Sequence, residues 1–197
     1  MSGTQTDPYI DVHIRDAVES DAESLSSFAA TMFRETYRPT ASRTGLETYI
    51  ARHFRADIQA AEIAAPDERT LVAERAGELV GYAQLRTGAA PECVHAGSGA
   101  AGAAIEIRRF YVASRWHGHG IAQRLMSACL QGGARGLPVW LGVFANNARA
   151  IAFYKKCGFR VAGDATFYMG ETPEQDYVMV WNERWSARES SNVESRE

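Results

Sequence analysis

"AIEIRRFYVASRWHGHGIAQRLM", residues 104–126, decides how this chain is read. Its first nine residues alternate in the manner of a β-strand, and from Ile121 onward apolar residues recur at helical spacing. Between the two patterns, Gly118 and Gly120 flank His119. A strand that turns through glycines directly into a helix exposes the helix's first N–H groups, which have no intrahelical acceptor. The positive end of the helix dipole lies at the same place. Glycine leaves no Cβ between an incoming ligand and that backbone, so the pattern suits an anion, phosphate above all. The same two glycines would also serve a plain tight loop. Two familiar phosphate loops are ruled out: Gln123 stands where a dinucleotide fingerprint needs its third glycine, and no Gly-Lys-Ser/Thr occurs.

Outward from this stretch, "LPVWLGVFA" (137–145) predicts a second strand and "ARAIAFYKKC" (148–157) a helix capped by Asn146 or Asn147 and closed by Gly158. The stretch from Gly118 to about Gly132 is expected to contain the helix that the glycine turn opens. Upstream, "YIDVHIRDA" (9–17) alternates as a strand, and Ser20 or Asp21 caps a helix over residues 22–37 that Pro39 ends. A second helix is expected from Gly45 to Ala64, and residues 70–86 read as a hairpin turning at Ala76-Gly77. The Gly/Ala-rich residues 88–103 predict a mobile loop. "FRVAG" (159–163) and "DYVMVWNE" (176–183) predict two last strands around a turn-rich "DATFYMGETPEQ". The class is mixed α/β: a mostly antiparallel central sheet with one βαβ crossover.

The chain has 197 residues, 46% of them apolar, and a net charge of −3. Residues 8–184 fit one domain, with a polar, disordered tail at 185–197. The charge balance gives no ground for nucleic-acid or anionic-membrane binding, and no apolar run approaches the ~20 residues of a membrane span. The N-terminus lacks a basic-then-apolar leader, and Cys93, Cys129 and Cys157 show no paired spacing. The expectation is a cytoplasmic protein with reduced cysteines and no metal site. A homodimer is left open.

"HGHGIA", residues 117–122, resembles the cofactor signature Gln/Arg-x-x-Gly-x-Gly/Ala of the GCN5-related N-acetyltransferases, with Gly120 and Ala122 in register and His117 in place of Gln or Arg. "LGVFANNARAIAFYKKCGF" (141–159) resembles that family's next block through Asn147, Ala150, Phe153, Tyr154, Gly158 and Phe159. The resemblance covers about residues 104–160 and implies the N-acetyltransferase fold, with acetyl-coenzyme A as co-substrate and an amine as acceptor. It implies that the N–H groups of His117, Gly118, His119, Gly120, Ile121 and Ala122 hold the pyrophosphate, and that Asn147 touches the cofactor. It also implies that strand residues Phe110, Tyr111 and Val112 run beside the pantetheine.

The chemistry asks for three groups. A lysine-like amine is only ~0.04% neutral at pH 7, a deficit of about 4.6 kcal/mol, so a base is useful. Glu106 is the candidate, with a surface pair to Arg108 or Arg109 as the alternative; Glu35 is a second carboxylate that could also bind a cationic substrate. The oxyanion needs a donor; the resemblance implies a bulge in this strand, which would free the Val112 N–H or a neighbour's for it. The leaving thiolate needs a proton, and Tyr154 matches the family position for that acid. Residues 166–179 and the "FRETY" end of the first helix resemble bacterial spermidine/spermine N-acetyltransferases, which implies a polyamine acceptor drawn by Glu35, Glu106, Glu171, Glu174 and Asp176. The alternatives are a peptide N-terminus, a small amine of antibiotic type, or a module that binds the cofactor without turnover.

Overall fold

The structure, a computed structural model, describes residues 11–38, 41–95, 102–133, 136–169 and 172–181. The strands are β1 (Val12–Asp16), β2 (Glu68–Arg75), β3 (Glu78–Gly88), β4 (Ala104–Val112), β5 (Val139–Phe144), β6 (Arg160–Met169) and β7 (Thr172–Trp181). The helices are α1 (Ala22–Tyr37), α2 (Arg43–His53), α3 (Ala56–Ala64), α4 (Glu92–His95), α5 (Ile121–Gly133) and α6 (Ala148–Lys156). The strands pair in the order β1-β2-β3-β4-β5-β7-β6. β1–β2, β5–β7 and β6–β7 are antiparallel, while β4–β5 is parallel around α5. This is the expected mixed sheet with its one crossover. Among the described residues no helix is long and apolar enough to cross a membrane. The chain separates into two compact units, Met1–Gln84 with Arg109–Ala128 and Leu85–Arg108 with Cys129–Glu197.

In the first unit the β2–β3 hairpin turns where expected. Ala76 (φ 50°) and Gly77 (φ 80°) are both left-handed, the turn whose twist matches its flanking strands. The cap of α1 differs from expectation. Asp21 makes no side-chain cap; its carboxylate turns back to the Val18 N–H at 2.8 Å and receives the Arg15 guanidinium at 2.6 and 2.9 Å. A guanidinium fork outcompetes a lone cap bond for one carboxylate. α1 ends at Tyr37, and Pro39 lies outside the described residues.

The single helix expected over 45–64 is two helices, broken at Phe54 and Arg55. Phe54 is 2% exposed, lies against Phe33 at 5.3 Å, and carries Arg109 over its ring at 4.7 Å. Its carbonyl accepts the Ser26 hydroxyl. Burying this ring inward bends the chain where periodicity alone would continue a helix. Arg109 itself forms a two-pronged pair with Glu62 of α3 at 2.6 and 3.1 Å, with the Arg and Glu side chains 8% and 13% exposed. Gln59 donates to the same carboxylate at 3.0 Å.

The second unit is built on the β5–β7–β6 sheet. Residues 164–175, expected as turns, largely extend β6 and β7 into one hairpin, with paired positions from Asp164↔Tyr177 to Met169↔Thr172. Cross-strand pairing supplies the order that the local turn residues do not. Within residues 88–103 the chain places α4, whose Val94 packs with Ala104, Val178 and Val180. Gly163, beside a register shift in β6, lets Cys93 approach; a Cβ there would meet its sulfur at 3.0 Å. The expected mobile stretch at 96–101 and the tail from 185 lie outside the described residues.

Candidate active site

In the first unit β4 ends at Val112, a short turn covers Ser114–Trp116, and α5 starts at Ile121, inside the stretch expected to contain it. Gly118 and Gly120 stand at φ 82° and 77°, a backbone region that costs an L side chain about 1–2 kcal/mol. The glycines therefore belong to the loop, and Gly120 serves as the helix's entry residue. The Gly120 carbonyl accepts the Arg124 N–H at 3.1 Å, so the ladder begins at Arg124 and the N–H groups of Ile121, Ala122 and Gln123 precede it. His117 and His119 donate their backbone N–H to the carbonyls of Ser114 (3.1 Å) and Trp116 (3.4 Å), within the loop.

Both histidines brace the loop through their rings. His117 Nε2 is 2.9 Å from the Val112 carbonyl, and His119 Nδ1 is 2.9 Å from the His117 carbonyl. His119 meets the edge of Trp116 at 5.7 Å, and Arg75 lies over the same indole at 4.7 Å. Arg124 ties α5 to β1 through the Val12 carbonyl at 2.7 Å. Sequence reasoning missed Trp116 and Arg75, because their partnership joins β2 to a loop some forty residues away. It also missed Gly81 on β3, where a Cβ would stand 2.9 Å from the Tyr111 carbonyl and 3.2 Å from Val112. Gly81 thus lets β3 approach β4 beside Phe110, Tyr111 and Val112. Tyr111 stacks on Tyr82 at 5.7 Å, and the Ala113 N–H donates to Val80 at 2.9 Å. Glu35 is exposed on α1.

The second unit holds Glu106, Asn147 and Tyr154. Glu106 is paired, though not with Arg108 or Arg109: Arg86 of β3 reaches its carboxylate at 2.8 Å. Arg109 is committed to Glu62, on the other face of the alternating β4. Of the two caps considered, Asn147 is the one used, its Oδ1 accepting the Ala150 N–H at 3.1 Å, which leaves the amide N–H₂ as its remaining donor. Tyr154 is 8% exposed on α6, edge-on to Phe153 and tilted against Phe159 at 5.9 Å. Gly158, at φ 90°, ends α6 and packs under Trp181.

A parallel β4–α5–β5 crossover whose helix opens on left-handed glycines defines an α/β protein with a glycine turn at a helix N-terminus. Residues 30–159 match the model of the acetyltransferase (GNAT) family, and the chain belongs to that family; it is an acyltransferase. An uncharacterised N-acetyltransferase of Mycobacterium tuberculosis is 32% identical over 163 residues, covering 82% of this chain and 97% of that protein. The N-alpha-acetyltransferase RimI of the same organism is 31% identical over 119 residues, 60% of this chain and 68% of RimI. Among solved structures, the PaiA N-acetyltransferase of Thermoplasma acidophilum, in complex with coenzyme A, has the same fold. It aligns with a TM-score of 0.69 at 21% identity, covering 87% of this chain and 98% of that one.

Proposed function

We infer that the chain transfers the acetyl group of acetyl-coenzyme A to a primary amine. The observation that carries this reading is the Gly118–Gly120 loop opening α5, with the N–H groups of Ile121, Ala122 and Gln123 ahead of the helical ladder. These groups hold the pyrophosphate, with Gly118 and Gly120 giving it access and His117 and His119 bracing the loop. Phe110, Tyr111 and Val112 lie along the pantetheine, and the Val112 N–H is the donor for the oxyanion. Asn147 offers its amide N–H₂ to the cofactor. The Tyr154 hydroxyl returns a proton to the leaving sulfur. Glu106, expected as the base, draws the cationic acceptor toward the site by its charge, with Arg86 fixing where its carboxylate stands.

Two acceptors are favoured by separate observations. A polyamine suits the shallow depression of about 460 Å³ on the β6–β7 hairpin, which Asp164 and Glu174 line. A polypeptide α-amine is favoured by the likeness to RimI. The test is thiol release from acetyl-coenzyme A with spermidine, spermine, ethylamine and short peptides as acceptors, the chain's three cysteines being subtracted as background. Turnover is expected with one acceptor class. Coenzyme A binding by calorimetry without any turnover would leave a binding module. Failure of both would remove the reading.

A further inference from the structure

The second unit carries a carboxylate that the roles above leave unused. Glu106 pairs with Trp140, and Phe144 pairs with Asp176. Paired residues project to the same side, so Glu106 of β4, Trp140, Gly142 and Phe144 of β5, and Asp176 of β7 share one face. Asp176 leans along β5 toward Gly142, its Oδ2 standing 3.4 Å from where a Gly142 Cβ would be. Gly142 is the residue of β5 on this face that lacks a side chain, with Trp140 and Phe144 on either side along the strand. The carboxylate therefore sits over bare backbone between two aromatic positions.

Its surroundings suit a proton acceptor. Burial, with Glu174 beside it, pushes the Asp176 carboxyl up to about 6. Among the described residues it forms no ion pair, whereas Glu106 on the same face is held by Arg86. The charged groups of that face are Glu174 on β7 itself, Glu106 with Arg108 on β4, Arg86 of β3 against Glu106, and Arg160 of β6, which pairs with Val180. The β6 positions directly opposite Asp176 and Glu174, Ala165 and Phe167, carry no charge, nor do those of β5 on this face, and α4 at the Val178 end brings Glu92 and His95. A carboxylate is an effective base when it titrates near the working pH while remaining mostly ionised.

We propose that the Asp176 carboxylate, seated over Gly142, takes the proton of the acceptor ammonium; this rests on the N-acetyltransferase reading above. An N–H bond breaks, an O–H bond forms on Asp176, and the electron pair stays on nitrogen. That pair makes the C–N bond to the acetyl carbon as the C–S bond breaks, its electrons leaving with sulfur; the Tyr154 hydroxyl protonates the sulfur, and the second proton of the acylated nitrogen restores that hydroxyl.

The test follows kcat for spermidine and for a short peptide from pH 6.5 to 10 in the wild type, Asp176→Asn and Gly142→Asp/Asp176→Asn. Asp176→Asn is expected to lose about a hundredfold in kcat at pH 7. The deficit should shrink toward pH 10, where a spermidine amine of pKa ~10.4 sheds its proton unaided. The double variant, which carries a carboxylate to the same place from β5, is expected to regain most of the rate. A deficit that is constant with pH, no deficit, or no regain in a folded double variant would overturn the assignment. Coenzyme A affinity and circular dichroism report on folding in each case. A wild type that binds coenzyme A yet turns over neither acceptor would overturn the functional reading, and this assignment with it.

Discussion

Arg86 and Glu106 meet at 2.8 Å across adjacent strands, with side chains 44% and 21% exposed. A pair this close to water contributes little to stability, at most about 1 kcal/mol. The expected result for Glu106→Gln is therefore a melting temperature near that of the wild type and an acceptor KM raised about tenfold. One lost charge-assisted contact, at about 1.5 kcal/mol, gives that factor. Steady-state kinetics alongside thermal melts would check it, and a large fall in melting temperature with unchanged KM would assign the pair to the fold alone.

Tyr154→Phe keeps the ring that packs against Phe153 and Phe159 and removes only the hydroxyl. We expect kcat to fall tenfold to about a hundredfold with coenzyme A affinity unchanged, since the hydroxyl acts on the leaving sulfur. Calorimetry and initial rates on the same preparation separate the two quantities. Equal rates in variant and wild type would place the proton donor elsewhere.

Gly120 and Gly77 both hold left-handed backbone, at φ 77° and 80°. Alanine at either is expected to destabilise by about 1–2 kcal/mol. Only Gly120→Ala should also weaken coenzyme A binding, by roughly tenfold, because only that residue opens the helix where the pyrophosphate is placed. Urea unfolding and calorimetry on the two variants make the comparison, and equal affinities would move the phosphate site off this loop.

The buried Arg109–Glu62 pair makes the opposite demand from the Arg86 pair. Removing one partner strands a charge, so Glu62→Gln is expected to cost about 3 kcal/mol, whereas Arg109→Met/Glu62→Leu recovers much of it. Urea midpoints of the single and double variants decide, and additive losses would contradict the coupling.

Two carboxylates give stability opposite slopes with pH. Arg15 holds the Asp21 carboxyl below its ordinary 3.8, so its contribution is present above about that pH and is lost as pH falls further. Asp176 is raised to about 6, so its contribution is present below 3.8 and is lost as pH rises through 6. The full shift would be about 3 kcal/mol, but solvent screens a half-exposed group, and about 1 kcal/mol is a fairer expectation. Asp176→Asn should therefore be more stable than the wild type at pH 8 by about that amount and equal to it near pH 4. Denaturant titrations at the two pH values would show it.

Much of the fold is legible in local pattern. The period-2 runs at 104–112 and 139–144, the Ala76-Gly77 turn and the Asn147 cap each depend on a few neighbouring residues, and each is where the sequence puts it. The motif around Gly120 is local for the same reason: a left-handed residue before a helix needs glycine whatever surrounds it. The misplaced elements depend on distant partners. Phe54 breaks a helix because Phe33 and Arg109 enclose its ring, and residues 164–175 extend as strands because β6 and β7 pair along their length. The same holds for the candidate site. Sequence alone determined which residues could bind phosphate or protonate a thiolate. Only the tertiary structure decided that Arg86 holds Glu106 and that Asp176 reaches the cleared space over Gly142, because strand register, not spacing along the chain, brings those side chains together.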